Sequence, residues 1–389
     1  MRKEVLMKIH SPEAVGMSSE RLARIDSRME ELVTDNRYPG IMVLAQRKGK
    51  VVHLGKYGMM DIEGGRPMRE DAIFRIYSMT KPIVSVAVMM LWEEGRLTLN
   101  DLVARYIPSF ANIKVETNSG LIEQQPDMTL YHLITHTSGL GYHVLPFEQR
   151  NQTLAEAVEY SVQWPLLFPP GTRFSYSCGV DVLGYIVQLV ANMPLADFLE
   201  ERIFKPLGMT DTSFHVPAEK LERLAQLYEF ETPGELRIHP NTGFLIGDVT
   251  VPTNCPSGGA GLVSTLSDYL AFCNFLINNG KYENGRLLSR KTLAWMTANH
   301  RPDYLQPAIF NPHAYVYGFG FGFCVDASLD QARWVTTPGQ YGWGGAAHTS
   351  FWIDPAEEFI GLLMTQMASQ HGQRLTELHR NLYYQAIID

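Results

Sequence analysis

Residues 72–84 read Ala72-Ile73-Phe74-Arg75-Ile76-Tyr77-Ser78-Met79-Thr80-Lys81-Pro82-Ile83-Val84. The run Ala72–Ile76 is strand-like. Residues 82–94 are apolar nearly all round until Glu93-Glu94, which predicts a helix with Pro82 in its first turn. Ser78 and Lys81 stand three apart at its start, so they share a face and Oγ can meet Nζ. Ser78-Met79-Thr80-Lys81 is the one S-x-x-K of the chain. A serine hydroxyl becomes a nucleophile only when a base takes its proton. A lysine whose pKa is depressed by burial and neighbours can act as that base, and a helix N-terminus favours the oxyanion that forms. The four residues also fit a bland role, with Ser78 an N-cap and Lys81 solvated. Spacing alone leaves both open.

On either side the periodicity changes. Upstream, Ser18 caps a segment 18–35 whose Leu22, Ile25, Met29 and Leu32 have helical spacing. Two strand-like runs follow, Ile41–Gln46 and Val51–Leu54, joined by Arg47-Lys48-Gly49-Lys50 as a β-hairpin. Downstream, helix-like stretches recur between 128 and 230, including 179–192 and 195–203. Strand patterns return at Tyr317–Val325, Ala346–Ile353 and Phe359–Thr365, with a turn at Asp354-Pro355-Ala356-Glu357-Glu358, and 372–387 closes as a helix. This order predicts an α/β (α+β type) fold: an antiparallel sheet flanked by helices, built from both chain ends, with a helical insertion. The expected domains are a discontinuous one (1–81 and 256–389) and a mainly helical insert (82–255), with a cleft between them.

Composition narrows the function. The chain has 389 residues, 45% of them apolar, ample for a packed core. Its 33 Lys+Arg against 41 Asp+Glu give −8, which argues against a nucleic-acid partner. No uncharged apolar run approaches the roughly 18 residues of a membrane span. The opening Met1–Lys8 is charged, without an apolar core or cleavage site, and predicts no secretory signal. Cys178, Cys255, Cys273 and Cys324 are widely spaced, as expected of reduced thiols in a cytoplasm. H-E-x-x-H, Walker and EF-hand patterns are missing and the twelve histidines are scattered, so neither a metal nor a cofactor is expected. G-x-S-x-G is missing too, against an α/β-hydrolase nucleophile elbow.

Two further segments carry candidate chemistry. In Pro170-Gly171-Thr172-Arg173-Phe174-Ser175-Tyr176-Ser177-Cys178-Gly179, Tyr176 offers a phenol as a second base, or is a buried tyrosine at a turn. Gly342-Trp343-Gly344-Gly345-Ala346-Ala347 opens a strand where small residues let backbone approach a ligand, or is an ordinary glycine-rich strand entry. A backbone N–H from it can complete an oxyanion hole with that of Ser78. Tyr142 lines the acyl pocket or packs elsewhere; Arg75, Trp92 and His136 read as structural; Asp181 reads as support for the helix start after Tyr176. Tyr282-Glu283-Asn284 lies in a turn and His348-Thr349-Ser350 in the sheet, so neither is given a catalytic role.

Taken together the segments resemble the serine β-lactamase and penicillin-binding-protein superfamily, and within it the class C β-lactamase-like esterases called family VIII carboxylesterases. The resemblance rests on Ser78-x-x-Lys81, Tyr176-Ser177-Cys178 and Trp343-Gly344-Gly345. It rests also on Leu133-Ile134-Thr135-His136-Thr137-Ser138-Gly139-Leu140, Ile203-Phe204-Lys205-Pro206-Leu207-Gly208-Met209 and Ser257-Gly258-Gly259-Ala260-Gly261-Leu262, in the family's order from about residue 11 onward. It implies that Ser78 is acylated, that Lys81 and Tyr176 share the proton transfers, and that the N–H groups of Ser78 and Ala346 hold the oxyanion. It implies a substrate site at Trp343, Gly344, Gly345 and Tyr142.

Two departures bear on substrate. Trp343-Gly344-Gly345 stands where β-lactamases have Lys-Thr-Gly, which removes a cation for a substrate carboxylate. A carboxylate desolvated there without a partner loses several kcal/mol, an uncharged ester little. Cys178 stands where the family has an amide side chain, and a thiol is a weak hydrogen-bonding group. The expectation is a serine carboxylesterase acting on a small neutral ester, with short acyl chains by family analogy. A β-lactamase, a D-Ala-D-Ala peptidase, an acyltransferase or a catalytically silent binding protein are the alternatives.

Overall fold

The apolar runs at 41–54 form the hairpin from which the rest of the sheet extends. The computed structural model describes residues 7–142, 152–232, 234–240, 246–301, 318–326, 334–368 and 373–389. Residues 1–6, part of the segment read for a secretory signal, lie outside these. Helix α1 (Ser19–Thr34) is capped by Ser18, whose Oγ accepts from the Arg21 N–H. Strands β1 (Gly40–Arg47) and β2 (Lys50–Asp61) pair antiparallel. Lys48 and Gly49 between them have φ of 50° and 72°, the left-handed pair that fits a two-residue hairpin to the strands' twist.

Strands β3 (Arg66–Pro67) and β4 (Ile73–Arg75) follow, then helix α2 (Thr80–Glu93). The middle of the chain consists mostly of short helices, the longest being α3 (Gly179–Ala191). It also holds small hairpins at Lys114–Thr117 with Gly120–Glu123 and Tyr228–Thr232 with Glu235–Ile238. Strand β5 (Val263–Thr265) pairs with β4 and leads into α4 (Leu266–Ile277). The rest is β6 (Gly318–Phe319), β7 (Cys324–Val325), β8 (Tyr341–Gly344), β9 (Ser350–Asp354), β10 (Phe359–Met364) and helix α5 (Gln373–Tyr384).

The main sheet has eight strands in the order β6-β7-β8-β9-β10-β1-β2-β3, and every pairing is antiparallel. Its two halves come from opposite ends of the sequence and join where β1 meets β10, with Leu44 opposite Leu362. Every residue of β1 is buried, because helices cover both faces. Ile41, Val43 and Ala45 pack with Leu22, Ile25 and Met29 of α1 and with Leu375 and Tyr383 of α5. Met42 and Leu44 point the other way, into the larger core with α2 and α4. Each fully buried Leu or Ile stabilises by roughly 1.5–3 kcal/mol.

Two stretches read as single strands are hairpins. Tyr317 lies outside the described residues; within Tyr317–Val325, β6 and β7 are separated by a turn in which the Gly320 N–H donates to the Phe323 carbonyl and Gly322 has φ 85°. A Cβ on Gly322 would lie 3.1 Å from the Lys81 carbonyl oxygen, so this turn rests on the first turn of α2. Similarly, Ala346–Ile353 is not continuous strand. Residues 345–349 form the turn between β8 and β9, with His348 at φ 67°. Alternating small and aromatic residues mimic strand periodicity while the glycines supply the reversal. The expected helix 372–387 is seen as Gln373–Tyr384; residue 372 is outside the described ones. Among the described residues no single helix is long and apolar enough to cross a membrane.

Candidate active site

Strand β4 ends at Arg75, and the chain turns sharply into α2. Tyr77 sits at φ 42°, a left-handed value costing a bulky residue on the order of 1–3 kcal/mol. Surrounding contacts hold this turn. The Ile76 N–H donates to the Leu262 carbonyl at 3.1 Å, the Leu262 N–H donates to Thr80 Oγ1 at 3.1 Å, and Tyr269 OH donates to the Met79 carbonyl at 3.0 Å. Ser78 therefore lies in a one-turn 3-10 helix, Tyr77–Met79, that runs into α2. It is 8% exposed, and Lys81 is fully buried one turn on.

The Lys81 ammonium meets three acceptors. Nζ lies 3.4 Å from Ser78 Oγ, 2.9 Å from Tyr142 OH and 2.7 Å from the Gly259 carbonyl oxygen. It also stands 4.5 Å from the centre of the Tyr176 ring. Burial alone pulls its pKa down, as the sequence suggested. The phenols of Tyr142 and Tyr176 and the Asp181 carboxyl outweigh this, and the net direction is upward. That direction is opposite to the depressed lysine pKa expected from burial alone. Burial raises the Tyr142 phenol's pKa, with Lys81 opposing.

Tyr142 and Tyr176 stack with ring centres 5.5 Å apart. The loop leading to Tyr142 is 135–141. His136 has φ 56° and Gly139 φ 85°, and a Cβ on Gly139 would lie 2.3 Å from the Phe168 carbonyl oxygen. His136 is fully buried. Its carbonyl accepts from the Ser175 N–H at 2.8 Å and its Nδ1 from the Ser177 N–H at 3.1 Å, so it clamps the backbone on both sides of Tyr176. Burial, aided by Lys81, drives the His136 pKa well below its ordinary value and keeps the ring neutral. This clamp explains the T-H-T-S-G segment, and matches the structural reading of His136.

Trp343, on β8, closes the other side. Its Nε1 donates to Tyr176 OH at 3.1 Å, so the indole N–H is engaged by the phenol. Trp343 packs at 5.3 Å from Phe319, and Phe319 at 5.3 Å from Phe174, whose ring carries the Arg301 guanidinium at 5.5 Å. After Trp343 the chain comes against the turn that carries Ser78. A Cβ on Gly345 would stand 2.5 Å from the Ile76 carbonyl oxygen, so only glycine lets this backbone approach. Gly344 and Ala346 flank that contact.

Asp181 lies in the first turn of α3, as expected of a residue supporting that helix start, and also reaches beyond it. Its Oδ1 accepts from Ser257 Oγ at 2.6 Å and from the Gly259 N–H at 2.9 Å, across the interface with the Ser257–Gly261 turn. Sequence reading missed Asp181, Ser257 and the Gly259 carbonyl as parts of this site. The signal available was the Ser257-Gly258-Gly259-Ala260-Gly261 run, whose glycines imply close backbone packing. Tyr282 belongs to a separate small hairpin, Lys281–Tyr282 with Gly285–Arg286. Among the described residues no group of three His, Cys, Asp or Glu side chains could hold a metal ion.

Comparison with known proteins fits this geometry. The Beta-lactamase family matches residues 25–384. The chain belongs to that family. It is 33% identical over 349 residues to Protein Rv1367c of Mycobacterium tuberculosis, covering 84% of this chain and 85% of the relative. It is 31% identical over 389 residues to Esterase EstB of Burkholderia gladioli, covering 92% and 93%. Among solved structures, EstCE1, described as a hydrolase with promiscuous acyltransferase activity, superposes with a TM-score of 0.79 at 26% identity, covering 94% of this chain and 99% of EstCE1. The protein is a β-lactamase-fold hydrolase, with the family's antiparallel sheet flanked by helices.

Proposed function

We propose that the protein is a serine carboxylesterase of the family VIII kind, hydrolysing neutral short-chain carboxylic esters through an acyl-enzyme on Ser78. The observation that carries this reading is Lys81 Nζ within 3.4 Å of Ser78 Oγ and 2.9 Å of a phenol, beside an indole where β-lactamases present a lysine. Likeness to EstB supports it. Cytoplasmic location belongs to the same proposal, supported by four unpaired cysteines.

With the Lys81 pKa held up rather than down, the base in this mechanism is the Tyr176 oxygen and not the lysine. Tyr176, with Lys81 beneath its ring and the Trp343 indole donating to its oxygen, takes the Ser78 proton. The Ser78 oxygen adds to the ester carbonyl, and the N–H groups of Ser78 and Ala346 receive the oxyanion. The Tyr176 phenol returns its proton to the leaving alcohol, and the acyl group stays on Ser78. Water, deprotonated by the same tyrosine oxygen, adds to the acyl carbonyl; the bond to Ser78 Oγ then breaks, the tyrosine returns the proton to Ser78, and the carboxylic acid leaves. Lys81 remains charged throughout and is shared with Tyr142. Trp343, Gly344 and Gly345 form the uncharged wall beside the ester.

The test is hydrolysis of p-nitrophenyl acetate and butyrate by the parent and by Ser78→Ala. The expected loss in the variant is on the order of 10⁴-fold or more. Undiminished turnover would sink the proposal, and faster turnover of nitrocefin than of the butyrate ester would assign the wrong substrate class. The printed description of EstCE1 favours a second reading, acyl transfer to an alcohol. An added alcohol would then speed ester loss and appear in the product.

A further inference from the structure

Asp181 is 1% exposed and makes no ion pair among the described residues. Carboxylates are seldom left in such a place unless their surroundings use the charge. Both of its hydrogen bonds fall on one oxygen, Oδ1, from Ser257 Oγ at 2.6 Å and the Gly259 N–H at 2.9 Å. The peptide carbonyl of that same Gly259 accepts from Lys81 Nζ at 2.7 Å. The turn has no room to shift. A Cβ on Gly259 would lie 2.4 Å from Asp181 Oδ2, and one on Gly258 would lie 2.8 Å from the Val180 carbonyl oxygen.

We propose that Asp181 is a positioning residue of the Ser78 site: it fixes the Ser257–Gly259 turn whose carbonyl holds Lys81, and so sets a carboxyl and an ammonium on the two backbone groups of one residue. This rests on the esterase reading above and extends it to the origin of the site's charge. The titratable groups around Lys81 are the Tyr142 and Tyr176 phenols, the His136 imidazole, the Cys178 thiol and the Asp181 carboxyl. Of these the carboxyl is the group whose ordinary range lies well below neutrality. Burial raises the Asp181 pKa, and Lys81 opposes that pull. The two groups face each other across one residue, Gly259, one on its N–H and one on its carbonyl oxygen.

Charge and geometry separate cleanly here. In Asp181→Asn the side-chain carbonyl can still accept both hydrogen bonds while the charge is gone. In Ser257→Ala the charge stays and one hydrogen bond is lost. Without the negative charge an ammonium ion at 81 is less favourable and a phenolate nearby more so. Both limbs of the kcat/KM–pH profile should therefore move to lower pH in Asp181→Asn, by about half a unit or more. Ser257→Ala should lower kcat/KM several-fold with both limbs in place. Limbs that do not move in a folded Asp181→Asn overturn the proposal. A second measurement needs no variant: the side-chain carboxyl ¹³C resonance of Asp181 in the parent, read near neutral pH, should be that of an ionised group, and a protonated carboxyl overturns it. A parent that labels at Ser78 with a fluorophosphonate yet cleaves no ester fails the esterase reading alone, because the carboxyl resonance still reports on Asp181.

Discussion

Two of the buried cations, Arg47 and Lys81, are held in opposite ways. Arg47, 4% exposed at the end of β1, donates to the Val15 carbonyl at 2.8 Å, the Gly16 carbonyl at 3.1 Å, Asp389 Oδ1 at 2.5 Å and Glu357 Oε2 at 2.6 Å. Its partners are backbone carbonyls and two carboxylates. Lys81 is buried still more deeply, yet two of its three partners are hydroxyls, Ser78 and Tyr142, that can themselves lose a proton. Among the described residues no carboxylate is in hydrogen-bond or ion-pair contact with it. One arrangement locks a strand end to its neighbours. The other places positive charge where a proton can move at small cost, which is what general acid–base chemistry requires.

The sharpest way to break this contrast is to replace each cation by methionine, close in length and uncharged. Lys81→Met should lower ester turnover by roughly 10²–10⁴-fold, because the phenolate loses its counter-charge. Steady-state kinetics on p-nitrophenyl butyrate reads this, and a loss under tenfold would show that the ammonium is dispensable. Arg47→Met should leave kcat per folded molecule unchanged. It strands the Val15 and Gly16 carbonyls, so unfolding free energy should fall by about 1–3 kcal/mol, measured by urea denaturation. A fall in kcat of comparable size would mean the two regions are not separate.

The smallest effect sits at the rim of the Arg47 clamp. The Lys48 ammonium and then the Arg47 guanidinium hold the Asp389 carboxyl at about 2, below its ordinary 3.8. A depressed carboxyl contributes stability that is complete above the unfolded value and is lost as pH falls through the folded one. The window is therefore between about 4 and 2. Asp389→Asn should flatten the stability profile of that window slightly and leave the neutral range nearly as it is. An identical acid-denaturation curve would remove Asp389 from the clamp.

The same contrast explains what could be read from the sequence. Ser78 and Lys81 were legible because three residues along one helix is a local distance. The β1–β2 hairpin was legible for the same reason, two apolar runs about a short glycine turn. The pairing of Lys81 with Tyr142 spans 61 residues, and that of Asp181 with Gly259 spans 78. No periodicity encodes either, so Tyr142 was read only as a pocket wall and Asp181 as helix support. The depressed pKa expected for Lys81 followed from burial, which is right in sign for a lysine alone. The partners that reverse it come from other parts of the chain. At 320–323 and 345–349, glycines hid two reversals inside strand-like patterns.

Trp343 belongs to the eight-stranded sheet, and Tyr176 to the helical middle of the chain. The hydrogen bond from one to the other therefore ties the sheet to that middle segment, and the oxygen it braces is the one assigned the proton. Loosening of that tie on warming would be felt at that oxygen while both flanking parts remain intact. Hydrolysis should accordingly fade at a temperature below that of cooperative melting. The working range of the protein would then be set by a single indole rather than by its core.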